Sequence, residues 1–97
     1  MSVADELLKA NEDFARNFKL GELSVRPKRH VAVLACMDAR LVLSQILGTA
    51  MGDIHMIRNA GGTVTEDAFR FLIISQLSAG HAGVHDYHHT DCEMLTF

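Results

Sequence analysis

The chain has 97 residues, of which 48% are apolar and 22% charged, with a formal net charge of −3. That is the composition of one small globular domain, not of a disordered tail. It offers no broad basic field for a nucleic acid or an acidic membrane surface. No apolar run approaches the length of a bilayer span. The N-terminus, with Asp5, Glu6, Glu12 and Asp13, lacks the basic-then-apolar plan of a signal peptide, so a cytoplasmic protein is expected.

Taken in chain order, Ser2 and Asp5 form an N-cap pattern. Leu7, Leu8, Asn11, Phe14, Ala15 and Phe18 then recur at helical spacing. This predicts an amphipathic helical arm over about 3–20, ending near Gly21. Gly21 to Arg29, which holds the only proline at Pro27, reads as a linker. His30 to Ala35 is a short β-branched and apolar run, the pattern of a strand buried on both faces. Leu41 to Leu47 predicts a short helix closed by Gly48, and Ile54 to Ile57 a second strand. A glycine-rich turn follows from Asn59 to Gly62. Thr65 then caps a helix whose first turn carries Glu66 and Asp67, favourable near the positive end of the helix dipole. Ala68, Phe69, Leu72, Ile73, Gln76 and Leu77 are its expected buried face and Gly80 its stop. Val84 to His88 stands where a third strand belongs.

Strand, helix, strand, helix, strand predicts an α/β fold over residues 1–97, a single domain with a parallel sheet core flanked by helices. One segment resists that plan. A central parallel strand is apolar on both faces, whereas Gly83, His85 and Asp86 interrupt the third. Burying His85 and Asp86 without partners would cost roughly 1–3 kcal/mol each. If the strand is central, Ile and Leu in their places are therefore expected to raise the melting temperature.

Ligands of a parallel sheet gather outside the carboxyl ends of its strands. Cys36, Asp38 and Arg40 follow the first strand, Arg58, Asn59, Gly61 and Gly62 the second, and His89 and Cys92 the third. Two thiolates and one imidazole make a Cys2His zinc set with an open fourth position. Arg40 can clamp the Asp38 carboxylate, which can then accept a hydrogen bond from a water on the metal or fill the fourth position itself. Each feature also has a plain reading. A cysteine closing a buried strand is a small apolar residue, Asp38 and Arg40 can be a loop ion pair, and short His/Cys spacings arise by chance. Gly61 and Gly62 serve a tight turn first and anion binding at the following helix N-terminus second. His81, His85 and His88 read as solvated or adventitious metal binders rather than designed ligands, and His55 as a satisfied strand histidine.

In combination these segments are far more specific. Ala35-Cys36-Met37-Asp38-Ala39-Arg40, then Ile57-Arg58-Asn59-Ala60-Gly61, then His88-His89-Thr90-Asp91-Cys92 closely resemble the β-class carbonic anhydrases, most of all their short prokaryotic subclass. The resemblance runs over almost the whole chain. It implies that Cys36, His89 and Cys92 bind Zn2+, that Asp38 and Arg40 form the catalytic dyad, and that the backbone at Gly61 and Gly62 lines the substrate site. It further implies reversible hydration of carbon dioxide to bicarbonate and a proton, and a homodimer or larger oligomer in which the first helix packs across a partner subunit. Related members hydrolyse carbonyl sulfide or carbon disulfide. The family pattern continues past the second zinc cysteine with more helices and at least one more strand, and it places a glycine where Glu93 stands here. A domain incomplete at its C-terminus is therefore expected. The alternative of another class is a shortened relative that binds zinc but turns over weakly or not at all. A redox protein using a Cys36–Cys92 disulfide is more distant, since it would need neither Asp38, Arg40 nor His89.

Overall fold

The computed structural model describes residues 2–79 and 83–92. Its elements are α1 (Val3–Asn17), β1 (Val31–Cys36), α2 (Leu43–Leu47), β2 (His55–Asn59), a 3-10 turn (Ala60–Gly62), α3 (Glu66–Ala79) and β3 (Gly83–Tyr87). The sheet is parallel in the order β2-β1-β3. Ala32 pairs with His55 and Cys36 with Asn59 on one side, Val31 with Gly83 and Ala35 with Tyr87 on the other. The chain thus leaves β1 first to one side and later to the other. That makes the carboxyl end of β1 the switch point where a parallel sheet opens a crevice. Among the described residues no helix is long and apolar enough to cross a membrane.

β1 is the core. Ala32 to Cys36 are all buried, and Leu34 is fully so. Val33 and Ala35 pack with Leu43 of α2 on one face, beside Val31, Ile54 and Tyr87. Ala32 and Leu34 point the other way. On that face His55, the register partner of Ala32, reaches Ser75 of α3 at 2.6 Å. The Nε2 of the same ring lies 3.3 Å from the Val25 carbonyl, so Nε2–H donates there and Nδ1 accepts from the Ser75 hydroxyl. His55 is the satisfied strand histidine expected from its apolar neighbours.

The ends of the elements follow their local chemistry. Ser2 and Asp5 form a full capping box on α1. Gly48 closes α2 in the left-handed region at φ 65°. The Ala68 N–H donates to Thr65 Oγ1 at 3.2 Å, the cap expected for α3. The linker before β1 is docked rather than free, because Lys28 and Arg29 donate backbone N–H to Gly52 and Asp53 carbonyls at 2.8 and 2.9 Å and Pro27 is buried. Gly80, expected to stop α3, lies outside the described residues, as do His81 and Glu93.

Two expectations are corrected. The buried stripe of α3 is Ala68, Leu72 and Ser75, while Phe69, Ile73 and Leu77 are exposed, Leu77 to 82%. A helix on a three-stranded sheet buries one narrow row, and this helix is apolar almost all round, so hydrophobicity could not say which row. The third strand is an edge and not a central strand among the described residues. Val84, His85 and Asp86 are exposed, and Asp86 pairs with His88 Nε2 at 3.2 Å. Its polar residues therefore carry no burial cost.

α1 stands apart. None of its residues is buried, and Leu7, Leu8 and Phe14 are 66%, 62% and 52% exposed. Among the described residues, its one ring contact joins Phe14 to the Phe18 that follows, with ring centroids 5.3 Å apart.

Candidate metal centre

Cys36 closes β1 and is buried at the switch point, while His89 and Cys92 lie on the segment that leaves β3. The fold brings all three together. One ligand atom from each lies within 4.8 Å of the others, and no other such group of histidine, cysteine and carboxylate side chains occurs among the described residues. The two sulfurs are free thiols 3.7 Å apart, a non-bonded separation.

These residues fit zinc on three counts. Two thiolates at about 2.3 Å from a tetrahedral ion stand about 3.8 Å from each other, which is the separation found here. Among the described residues the His89 Nε2 is buried without a hydrogen-bond partner, a costly state for a ring nitrogen unless it donates its lone pair to a metal ion. The sulfur and imidazole donor set is itself one that suits zinc.

Local electrostatics prepare the thiolate. The Cys36 thiol, ordinarily near 9.0, is lowered to about 7. The neighbouring His89 imidazole lowers it most; burial opposes this, and backbone N–H groups of Asp38 and Gly61 and the Cys92 thiol add to the lowering. The Gly61 amide can point there because the turn carries it at φ 86° and ψ 0°. Gly62, at φ 63°, lies so close to β1 that a Cβ would stand 3.2 Å from the Ala35 carbonyl carbon and the Cys36 nitrogen. A side chain here would push against the backbone of the ligand itself. The geometry thus turns both glycines toward Cys36. The open cavity of about 510 Å³ at the centre is lined by Cys36, Met37, Asp38, Ala39, Arg40, Asp91 and Cys92.

Asp38 and Arg40 form the expected clamp. The Arg40 Nε donates to both carboxylate oxygens at 3.0 and 3.2 Å, its Nη2 to Oδ2 at 2.6 Å, and its backbone N–H to Oδ1 at 2.8 Å. These bonds hold the Asp38 carboxyl well below the usual carboxylate range. Its Oδ2 stands 3.9 Å from His89 Nε2, and both side chains are only 11% exposed. The carboxylate therefore faces the place where the three ligand atoms converge.

Sequence reasoning left two contacts unseen. The Arg40 Nη2 also donates to the Asp91 carbonyl at 3.0 Å, joining the β1 loop to the loop of His89 and Cys92. Arg58, placed at a strand end but given no role, donates to the carbonyls of Cys36 and Asp38. An arginine next to a glycine turn was the only signal for the latter, and backbone acceptors leave no mark in a sequence.

Fold and donor set together define a class, an α/β protein with a site fit for a metal ion at the carboxyl edge of a parallel sheet. A family model described as carbonic anhydrase matches residues 31–96. β-Carbonic anhydrase 1 of Mycobacterium tuberculosis is 50% identical over 97 residues, which is 100% of this chain and 59% of that protein. A carbon disulfide hydrolase of Acidianus sp. is 40% identical over 93 residues, 96% of this chain and 44% of that protein. The crystal structure of a carbonic anhydrase from Streptococcus mutans superposes with a TM-score of 0.92 at 43% identity, over 100% of this chain and 58% of that one. The chain belongs to the β-class carbonic anhydrase family, and it spans about 59% of the length of the mycobacterial relative.

Proposed function

We propose that this chain carries the zinc centre of an enzyme that interconverts carbon dioxide and bicarbonate. The observation that carries the reading is the convergence of Cys36, His89 and Cys92 beside an Asp38 carboxylate that Arg40 holds ionised. Cys36, His89 and Cys92 would hold the ion, leaving one position open toward the cavity. When bound, zinc supplies activation of water for attack on carbon at neutral pH. Asp38 Oδ2, which when ionised can accept but not donate, takes a hydrogen bond from the attacking water and so aims its free lone pair at the substrate. Arg40 fixes the carboxylate from three donors, so little reorientation is left for the moment of reaction. Carbon dioxide gains the oxygen, one proton leaves to solvent, and bicarbonate departs through the open face of the cavity.

A homodimer or larger assembly accompanies this reading. An isolated helix of this length is marginal in water, and α1 shows its apolar stripe to solvent rather than to its own domain. A second copy is the proposed cover. The free thiols at Cys36 and Cys92 suit a reducing, cytoplasmic setting.

The 40% identity to a carbon disulfide hydrolase favours a second substrate on the same centre. Stopped-flow assay of the zinc-loaded chain with carbon dioxide, and sulfide release from carbon disulfide, separate the two. Elemental analysis of the same preparation should find one zinc per chain, lost in Cys36→Ser and Cys92→Ser. Full zinc in both variants would remove the proposed centre, and full zinc occupancy in the parent chain without turnover on either substrate would leave an inert zinc-binding relative.

A further inference from the structure

Two peptide carbonyls stand where β1 gives way to the site. Cys36 is the last residue of β1, and Asp38 lies in the turn beyond it, so both carbonyls need donors from outside the helices. Arg58 supplies them. Its Nε and Nη2 donate to the Cys36 carbonyl at 3.0 and 2.8 Å, and Nη2 donates to the Asp38 carbonyl at 2.8 Å. The Asp38 carbonyl also accepts the Leu41 N–H at 3.0 Å, so that peptide is held from two directions.

The register explains the reach. Arg58 sits opposite Ala35 on β2, one position before the strand ends. A guanidinium presents several donors in one rigid plane and can grip two acceptors two residues apart, where an ammonium offers a single point. Arg58 does not line the cavity at the metal centre. It lines a separate hollow of about 330 Å³ with Asn59, Ala60, Thr65, Asp67 and Phe71 among others. Its route to the chemistry therefore runs through backbone.

We propose that Arg58 is a positioning residue of the metal centre, acting through the carbonyls of Cys36 and Asp38 to set where the thiolate and the carboxylate stand. This rests on the zinc-centred reading above. One residue would thus align a ligand and the carboxylate that works beside it through their backbone carbonyls.

The test is zinc affinity of the full chain, measured by competition against a chelator, for the parent, Arg58→Met and Arg58→Lys. Loss of an outer partner of a metal ligand typically lowers affinity about 10–100-fold, and Arg58→Met should fall in that range. Arg58→Lys should recover part of the loss, since one ammonium can hold one of the two carbonyls. The cobalt-substituted chain gives a readout that mere stability would not move: its sulfur-to-metal charge-transfer band should shift in Arg58→Met. Should Arg58→Met fail to fold, Arg58→Lys decides, with affinity below the parent at an unchanged metal-free melting temperature. Parent-like affinity and cobalt spectra in the variants would overturn the proposal while leaving the zinc centre intact. A parent chain that binds no zinc would sink both.

Discussion

Arg40 donates to the backbone carbonyl of Asp91 at 3.0 Å while its other donors hold Asp38. Asp91 can offer that carbonyl because it sits in the left-handed region at φ 54°, a conformation aspartate tolerates better than most residues. One side chain thus bolts the carboxylate loop to the loop of His89 and Cys92. Replacing Asp38 by Ala should cut turnover about 100-fold or more and leave zinc bound. Replacing Arg40 by Ala should cut turnover as deeply and also speed zinc loss to a chelator. Equal zinc release rates in the two variants would show that the Asp91 contact carries no weight.

Gly62 and Gly48 have nearly the same positive φ but different surroundings. A Cβ at Gly48 meets nothing within 4 Å, whereas one at Gly62 presses on Ala35 and Cys36 backbone at 3.2 Å. The left-handed cost of about 1–2 kcal/mol applies to both alanine variants. Only Gly62→Ala should also weaken zinc binding, since only there does the new methyl displace a ligand. Chemical denaturation paired with chelator competition would separate the two effects.

The pH response of the site divides between two groups. Asp38 has a folded pKa below its unfolded value, so its contribution to stability is present above the ordinary carboxylate range, about 3.9 for aspartate, and is lost only as pH falls below that. An acid limb in activity between pH 5 and 8 should therefore survive in Asp38→Asn, whatever the rate that remains. Cys36 is lowered to about 7 from 9.0, so protons compete with metal below about pH 7. Apparent zinc affinity should fall more steeply below that pH than above it. A titration of affinity from pH 5.5 to 8.5 with a constant slope would contradict the assignment.

His85 and Asp86 now call for the reverse of what a central strand would demand. Both are exposed on an edge, so His85→Ile with Asp86→Leu should shift metal-free stability by no more than about 0.5 kcal/mol. Removing charge from an open strand edge should instead promote association between chains. Thermal melts and light scattering on the double variant would show both. A clear rise in melting temperature without association would mean the strand is covered after all.

The apolar stripe of α1 makes assembly testable without touching the site. Leu7→Glu with Phe14→Glu should convert an oligomer to monomer in light scattering. A parent chain that is already a stable monomer would remove the proposed contact.

How much of this was legible in the sequence differs by element. β1 could be read because a strand buried on both faces needs an unbroken apolar run, and Val31 to Ala35 supply one. The capping box at Ser2 and the Gly48 closure were equally readable, because each depends on residues within four positions. The face of α3 was not, because Phe69, Phe71, Ile73, Ile74 and Leu77 leave the helix apolar on several sides and only the sheet selects Ala68 and Leu72. Strand order was hidden too, because the chain order of three parallel strands does not say which of them lies between the others. Within the site, side-chain donors and acceptors announced themselves as residue types. The grip of Arg40 and Arg58 on carbonyls did not, since every residue has a carbonyl.

Cys36 and Cys92 are 56 positions apart in the chain and 3.7 Å apart in space. An ion shared between them would turn that stretch into a closed ring containing β2, α3 and β3. In the chain-entropy account, a cross-link around a loop of that length removes about 4 kcal/mol of disorder from the unfolded state. A small domain has roughly 5–15 kcal/mol in all. β3 has a single strand neighbour among the described residues, so it stands to gain most from such a clasp. Demetallation would then do more than stop chemistry: hydrogen exchange should quicken first along Val84 to Tyr87, where the ring opens, while the β1 amides stay protected.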